Sequence, residues 1–140
     1  MKRLHHYTSI ERWRLIEEAG LLRRTESNMS ATKPHAGPDV VWLTTDPDFA
    51  HDHGLLGSEE LDGTDKTRIR VTVELVNRDV HKWHEWAARH GIDGDWMRTL
   101  ASVGGSGTWR VTEKPIPSAR WVEVVDRSDG SVLWVKPEGL

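Results

Sequence analysis

The sequence predicts a mixed α+β domain built on a largely antiparallel sheet, with helices packed against it. Three observations support this fold class. Short apolar segments typical of strands occur along the whole chain, and regions of helical periodicity interrupt them. Near the C-terminus, Asp129-Gly130 joins two such segments and is typical of a β-hairpin. This succession of elements favours α+β over a regularly alternating parallel fold.

Size and composition suit one globular domain covering residues 1–140. The chain has 36% hydrophobic and 29% charged residues, which is typical of a solvated globular protein and not of a disordered one. Its net charge of −3 gives no overall attraction for nucleic acid. No apolar run is long enough to cross a membrane and no signal peptide is visible, so we expect a cytoplasmic protein without membrane contact. The absence of Cys excludes disulfides and thiol catalysis.

Six segments have the length and patterning of strands: 4–7, 40–44, 67–75, 108–112, 121–126 and 131–135. The segment over 67–75 alternates most regularly and places Arg68 and Arg70 on its polar face. We interpret it as a half-buried strand.

Three segments predict helices, over 9–19, 79–90 and 93–100. Thr8 and Glu11 have the spacing of a capping box at the start of the first helix, and Gly20 is placed to end it. Asp79 and Asp93 are candidate N-caps of the other two. The first helix presents one apolar face to the expected sheet.

Two short motifs, separated by the first helix and a long irregular stretch, carry a resemblance to a known family. They read Leu4-His5-His6-Tyr7-Thr8-Ser9 and Val40-Val41-Trp42-Leu43-Thr44, with a helix ending at Gly20-Leu21 between them. In this order they resemble the opening of the ADP-ribosyltransferase-like superfamily. The similarity covers residues 1–50 and is greatest to RNA 2′-phosphotransferases, rifamycin ADP-ribosyltransferases and DNA-modifying ADP-ribosyltransferase toxins.

The resemblance implies a split sheet that binds NAD, or a related nucleotide, in a cleft between its halves. His6 matches the histidine that hydrogen-bonds a ribose hydroxyl, a contact that a neutral imidazole suits. Thr8 matches the hydroxyl that braces the strand end, and Tyr7 between them belongs to the same predicted cofactor site. Trp42 matches an aromatic that stacks on nicotinamide, and Thr44 the hydroxyl that follows it. For each of these residues, ordinary packing or hydrogen bonding is the competing interpretation.

The third motif of the family departs from its pattern in this chain. Val111-Thr112-Glu113-Lys114-Pro115-Ile116-Pro117 fits the tail of that motif, but Trp109 occupies the position of the expected carboxylate. Trp109 is therefore expected beside the cofactor, and Glu113 and Glu123 are the candidate catalytic carboxylates. Exposed strand-end positions are the competing interpretation for both.

Three functions follow as hypotheses. The first is transfer of ADP-ribose from NAD to a protein or nucleic acid, as in a bacterial or phage conflict system. The second is a catalytically degenerate domain of the same fold that binds a protein or a nucleotide. The third is an RNA 2′-phosphotransferase-like enzyme in which Arg68 and Arg70 hold phosphate, since guanidinium groups bind it in bidentate fashion.

Other notable features favour structural interpretations. The chain has eight Trp against one Tyr and one Phe, and we expect most of the Trp side chains to pack in the core. The His clusters, 51–53 and 81–85, do not identify a complete ligand set, so no metal site is predicted. Residues 104–107 are interpreted as a flexible connection because no P-loop signature accompanies these glycines.

Overall fold

A computed structural model describes residues 1–24, 40–48, 67–92, 94–101 and 106–137. The strands are β1 Lys2–Thr8, β2 Leu21–Leu22, β3 Val41–Thr44, β4 Ile69–Leu75, β5 His81–Lys82, β6 Trp109–Thr112, β7 Ile116–Pro117, β8 Trp121–Asp126 and β9 Ser131–Val135. The helices are α1 Ile10–Ala19, α2 Trp83–Arg89 and α3 Gly94–Ala101. The mixed α+β class is confirmed, and none of the helices in these ranges is long and apolar enough to span a membrane.

The strands form a large sheet with the order β5-β6-β3-β1-β4-β8-β9, and a small one in which β2 pairs with β7. All the pairings are antiparallel. The predicted bounds of β8 and β9 are correct, and Gly130 has the positive φ of 77° that its turn requires. The two-residue strands β2, β5 and β7 were not predicted, since so short a segment carries no periodicity.

The first helix begins one residue later than its predicted capping box requires. Ser9 is the N-cap, and its hydroxyl accepts a hydrogen bond from the Arg12 amide. Thr8 remains in β1, where it pairs with Ile69. The prediction for Gly20 is confirmed, because it has φ 67° and its amide donates to the Ile16 carbonyl.

The second helix is shorter than predicted and begins at Trp83 instead of Asp79. Asp79 lies in a short 3₁₀ turn, and β5 separates it from α2. β5 pairs with β6, so its backbone groups are satisfied in the sheet and not in a helix. The third predicted helix is present as α3, while its candidate cap, Asp93, lies outside the described residues.

The large sheet carries a hydrophobic core on each face. One core joins α1 to the central strands and includes Trp13, Val71 and Trp121. The other joins α2 to the β3 and β6 end and includes Trp83 and Trp86, both fully buried. The expectation that Trp83 and Trp86 pack against the sheet is therefore confirmed. Nothing is described of the Trp96 side chain.

Candidate functional site

The large sheet is joined weakly at one place, between β1 and β3. β1 pairs with β4 along its whole length from Lys2 to Thr8, and β3 pairs with β6 along its whole length. Between β1 and β3, by contrast, the one paired position is His5 with Thr44. The two halves of the sheet therefore separate beyond His5, and we call this place the split.

The side chain of His6 bridges the split. Its Nδ1 lies 2.8 Å from the carbonyl oxygen of Trp42. A carbonyl can only accept, so Nδ1 donates, and a neutral ring then presents Nε2 as an acceptor. Burial lowers the pKa of His6, and its hydrogen bond to Trp42 opposes this effect only in part. The ring is thus held neutral and in one tautomer at neutral pH.

The residues next to His6 come from the end of β1 and the first turn of α1. Thr8 is buried, and Ser9 caps α1 directly after it. Arg12 lies in the first turn of α1, and its charge also lowers the pKa of His6. Arg12 is exposed and has no ion-pair partner among the described residues. A cation therefore lies on the helix that directly follows the strand of His6.

The ring of Trp42 does not join His6, contrary to the arrangement expected from the resemblance. His5 pairs with Thr44, so these two side chains share one face of the sheet, and Trp42 shares it too. His6 is one position from His5 and therefore lies on the opposite face. Only the main-chain carbonyl of Trp42 reaches His6.

Trp42 and Trp109 instead pack together with Trp83 under α2. The ring centroids are 6.0 Å apart for Trp42 and Trp109, and 5.1 Å apart for Trp83 and Trp109. Both arrangements are edge-to-face, the geometry that aromatic rings prefer. The position of the expected third-motif carboxylate is thus filled by a packed indole.

Thr44 ties the end of β3 to the start of β6. Its hydroxyl donates to the Thr108 hydroxyl at 2.8 Å and accepts from the Asp46 amide at 3.1 Å. Since Thr44 also pairs with His5, one row of residues crosses β1, β3 and β6 at this level. Its role here is structural, as a brace between strands.

A second set of hydrogen-bonded polar side chains lies on the face of the sheet opposite His6. His5 hydrogen-bonds the Thr72 hydroxyl at 3.0 Å, and Tyr7 donates to the Asp46 carbonyl at 2.8 Å. Burial, followed by the charge of Arg70, lowers the pKa of His5, whereas burial raises the pKa of Tyr7 to about 12. His5 was missed as a candidate, although the two-residue period of β1 already separates it from His6.

The two arginines of the phosphotransferase hypothesis do not converge on His6. Arg68 makes a bidentate ion pair with Asp126 at 2.9 Å, and this hydrogen bonding holds the pKa of Asp126 well below its usual range. Arg70 donates to the Pro47 carbonyl at 2.8 Å on the face opposite His6. The arrangement that this hypothesis requires is therefore not formed by these two residues.

The candidate carboxylates are also engaged away from His6. Glu113 accepts from the Trp86 indole at 3.2 Å and lies 3.3 Å from the His90 ring. Glu123 lies 3.6 Å from Arg70. Neither Glu113 nor Glu123 supplies a carboxylate at the split.

The described residues hold no group of three or more His, Asp or Glu side chains that could bind a metal ion. His81 contacts Arg89, and His84 contacts Ser106. The candidate ligands at 51–53 and the glycines at 104–105 lie outside the described residues.

Comparison with known proteins gives no match: no protein-family model, no curated protein and no solved structure is significantly similar to this chain.

Proposed function

We propose that this chain is an ADP-ribosyltransferase-like domain that binds NAD in the split and transfers ADP-ribose to a protein or nucleic acid. One observation carries the proposal. The two segments that resemble the family motifs lie on β1 and β3, and Trp109, at the third-motif position, begins β6; these three strands are neighbours in the sheet although they are distant in sequence. The split falls between the first two of these strands, at His6.

The chemistry of the split suits the ribose and diphosphate of NAD. With Nδ1 committed to the Trp42 carbonyl, Nε2 of His6 can accept a hydrogen bond from a ribose hydroxyl. Arg12, in the first turn of α1, has no carboxylate partner in the described part of the chain, and a guanidinium group is well shaped for a diphosphate. The split therefore offers complementary groups to two parts of one dinucleotide.

In the proposed reaction, the bond between the nicotinamide nitrogen and the ribose C1 breaks. Nicotinamide leaves with the bonding electrons, and a nucleophile of the acceptor forms the new bond to C1 and loses its proton. The protein contributes by holding the ribose in position and by stabilising the positive charge that develops on it.

A second candidate is a domain of the same kind that binds NAD but does not transfer ADP-ribose. Trp109 favours it, because the indole at the third-motif position packs between Trp42 and Trp83. Glu113 and Glu123 are engaged elsewhere, so neither replaces the missing carboxylate. The two candidates share the NAD site and differ in catalysis alone.

Two variants of His6 test the site. His6→Asn keeps an amide donor near the position of Nδ1 but has no atom at Nε2, whereas His6→Gln places its amide near Nε2. We expect His6→Asn to remain folded and to weaken NAD binding at least about fivefold, the effect of one lost hydrogen bond. His6→Gln should bind NAD more tightly than His6→Asn. Equal NAD affinity in the wild type and both variants would contradict the proposal.

Release of nicotinamide separates the two candidates. NAD is incubated with the purified protein and a mixture of protein and nucleic-acid acceptors, and free nicotinamide is measured by chromatography. Release that His6→Asn diminishes supports transfer. NAD binding without release supports the second candidate.

A further inference from the structure

An open groove with strong positive charge lies at the edge strand β5. Its volume is about 660 Å³, and β1, β5, α2 and β6 contribute to its lining. The charged lining residues are Lys2, Lys82, Glu85, Arg89 and Arg110. The groove shares no lining residue with the split, so it is a separate site.

No carboxylate of the described residues makes an ion pair with Lys2, Lys82, Arg89 or Arg110, the four cations of this groove. The ion pairs found in the described ranges involve other side chains. Arg89 contacts the His81 ring, which leaves its charge uncompensated. Glu85 is the one acidic lining residue, so four positive groups face one negative group.

The position of Arg110 favours an anion in the groove. Arg110 lies directly opposite Lys82 in the pairing of β5 with β6, and like charges at such positions are destabilising. Its Nη1 atom donates to the carbonyls of Gly107 and Trp109, and its buried Nε atom has no hydrogen-bond partner among the described residues. An oxyanion in the groove would relieve this repulsion.

We propose that this groove binds the phosphate backbone of a nucleic-acid strand. The groove volume of 660 Å³ is typical of a pocket that holds a whole small ligand, so it exceeds the space that one phosphate needs. Its four cations can neutralise successive phosphates of one strand. The described lining residues include no Trp, Tyr or Phe, so we expect contacts to the phosphates to dominate over base stacking and binding to depend little on sequence. Since the net charge of the chain is −3, the attraction must come from this local cluster.

Fluorescence anisotropy of a labelled single-stranded oligonucleotide tests the groove. The variant Lys82→Glu/Arg110→Glu should weaken binding at least about tenfold and make its dependence on salt concentration shallower. The matched control, Arg14→Glu/Lys136→Glu, changes the net charge equally at exposed positions outside the groove and should leave binding within about twofold of wild type. Glu85→Gln should tighten binding, a gain that misfolding cannot produce.

Three results would overturn the proposal: no oligonucleotide binding by the wild type, equal losses in the groove variant and the matched control, or binding of inorganic triphosphate without binding of the oligonucleotide. NAD binding is measured in parallel on the same variants. The affinity for NAD should not change in Lys82→Glu/Arg110→Glu. His6→Asn should bind NAD more weakly and bind the oligonucleotide as tightly as the wild type. These parallel measurements show separately whether the proposal for the groove or the proposal for the NAD site is wrong.

Discussion

His6 donates from Nδ1 to the carbonyl oxygen of Trp42 over 2.8 Å, across the place where β1 and β3 cease to pair. A side chain thus occupies a main-chain acceptor that strand pairing would otherwise use. This contact fixes the tautomer of His6 and directs its remaining nitrogen to act as an acceptor. The proposed contact with ribose depends on that arrangement.

NAD affinity should be independent of pH near neutrality and fall in mild acid. The pKa of His6 is lowered from 6.5, mainly by burial, so Nε2 stays an acceptor until the pH falls below that value. Protonation then removes the acceptor and adds a charge next to Arg12. Calorimetric titrations with NAD over this range measure the effect. Loss of affinity already above pH 6.5, or the same profile in His6→Asn, would contradict it.

Asp126 should contribute to stability at neutral pH and lose its contribution in acid. Its pKa in the folded state is lowered by Arg68 and Ser128, so the unfolded chain binds the proton more readily. The contribution is complete above the ordinary pKa of the group, 3.8, and is lost as the pH falls from there through the folded-state pKa. Urea unfolding of Asp126→Asn should therefore differ most from wild type near pH 7 and converge with it in acid. A difference that grows on acidification would refute the assignment.

Two buried tryptophans should respond differently to the same substitution. The Trp86 indole donates to Glu113, whereas the Trp83 indole nitrogen is buried without a partner among the described residues. Trp86→Phe should therefore lower the free energy of unfolding by about 1 kcal/mol more than Trp83→Phe. Chemical denaturation followed by circular dichroism gives both values. The reverse order would show that Trp83 has a partner.

Neither candidate carboxylate should matter for NAD binding. Glu113 contacts Trp86 and His90, and Glu123 lies by Arg70, all away from His6. We expect Glu113→Gln and Glu123→Gln to bind NAD within about twofold of wild type, since neither variant loses a contact to the cofactor. A loss of tenfold or more in either variant would place that carboxylate at the split.

The regular strands could be predicted from the sequence because alternation and hairpin signals are local. β8 and β9 have their predicted bounds for this reason. The bounds of α2 depend instead on pairing between β5 and β6, a long-range contact that no local signal reports. The geometry of the candidate site likewise depends on contacts between distant segments, which local sequence signals do not report. The sequence identifies His6 and Trp42 as candidate cofactor-binding residues. It does not give the register between β1 and β3, which places their side chains on opposite faces of the sheet.

The proposed NAD site depends above all on one hydrogen bond, which Nε2 of His6 accepts from NAD at the split. The most direct test is the ¹⁵N spectrum of the His6 ring, recorded during a titration of the wild-type protein with NAD. We expect a proton on Nδ1 and an unprotonated Nε2 in the free protein, and a saturable shift of the Nε2 signal as NAD binds. A proton on Nε2, or an Nε2 signal that does not move in saturating NAD, would contradict the claim.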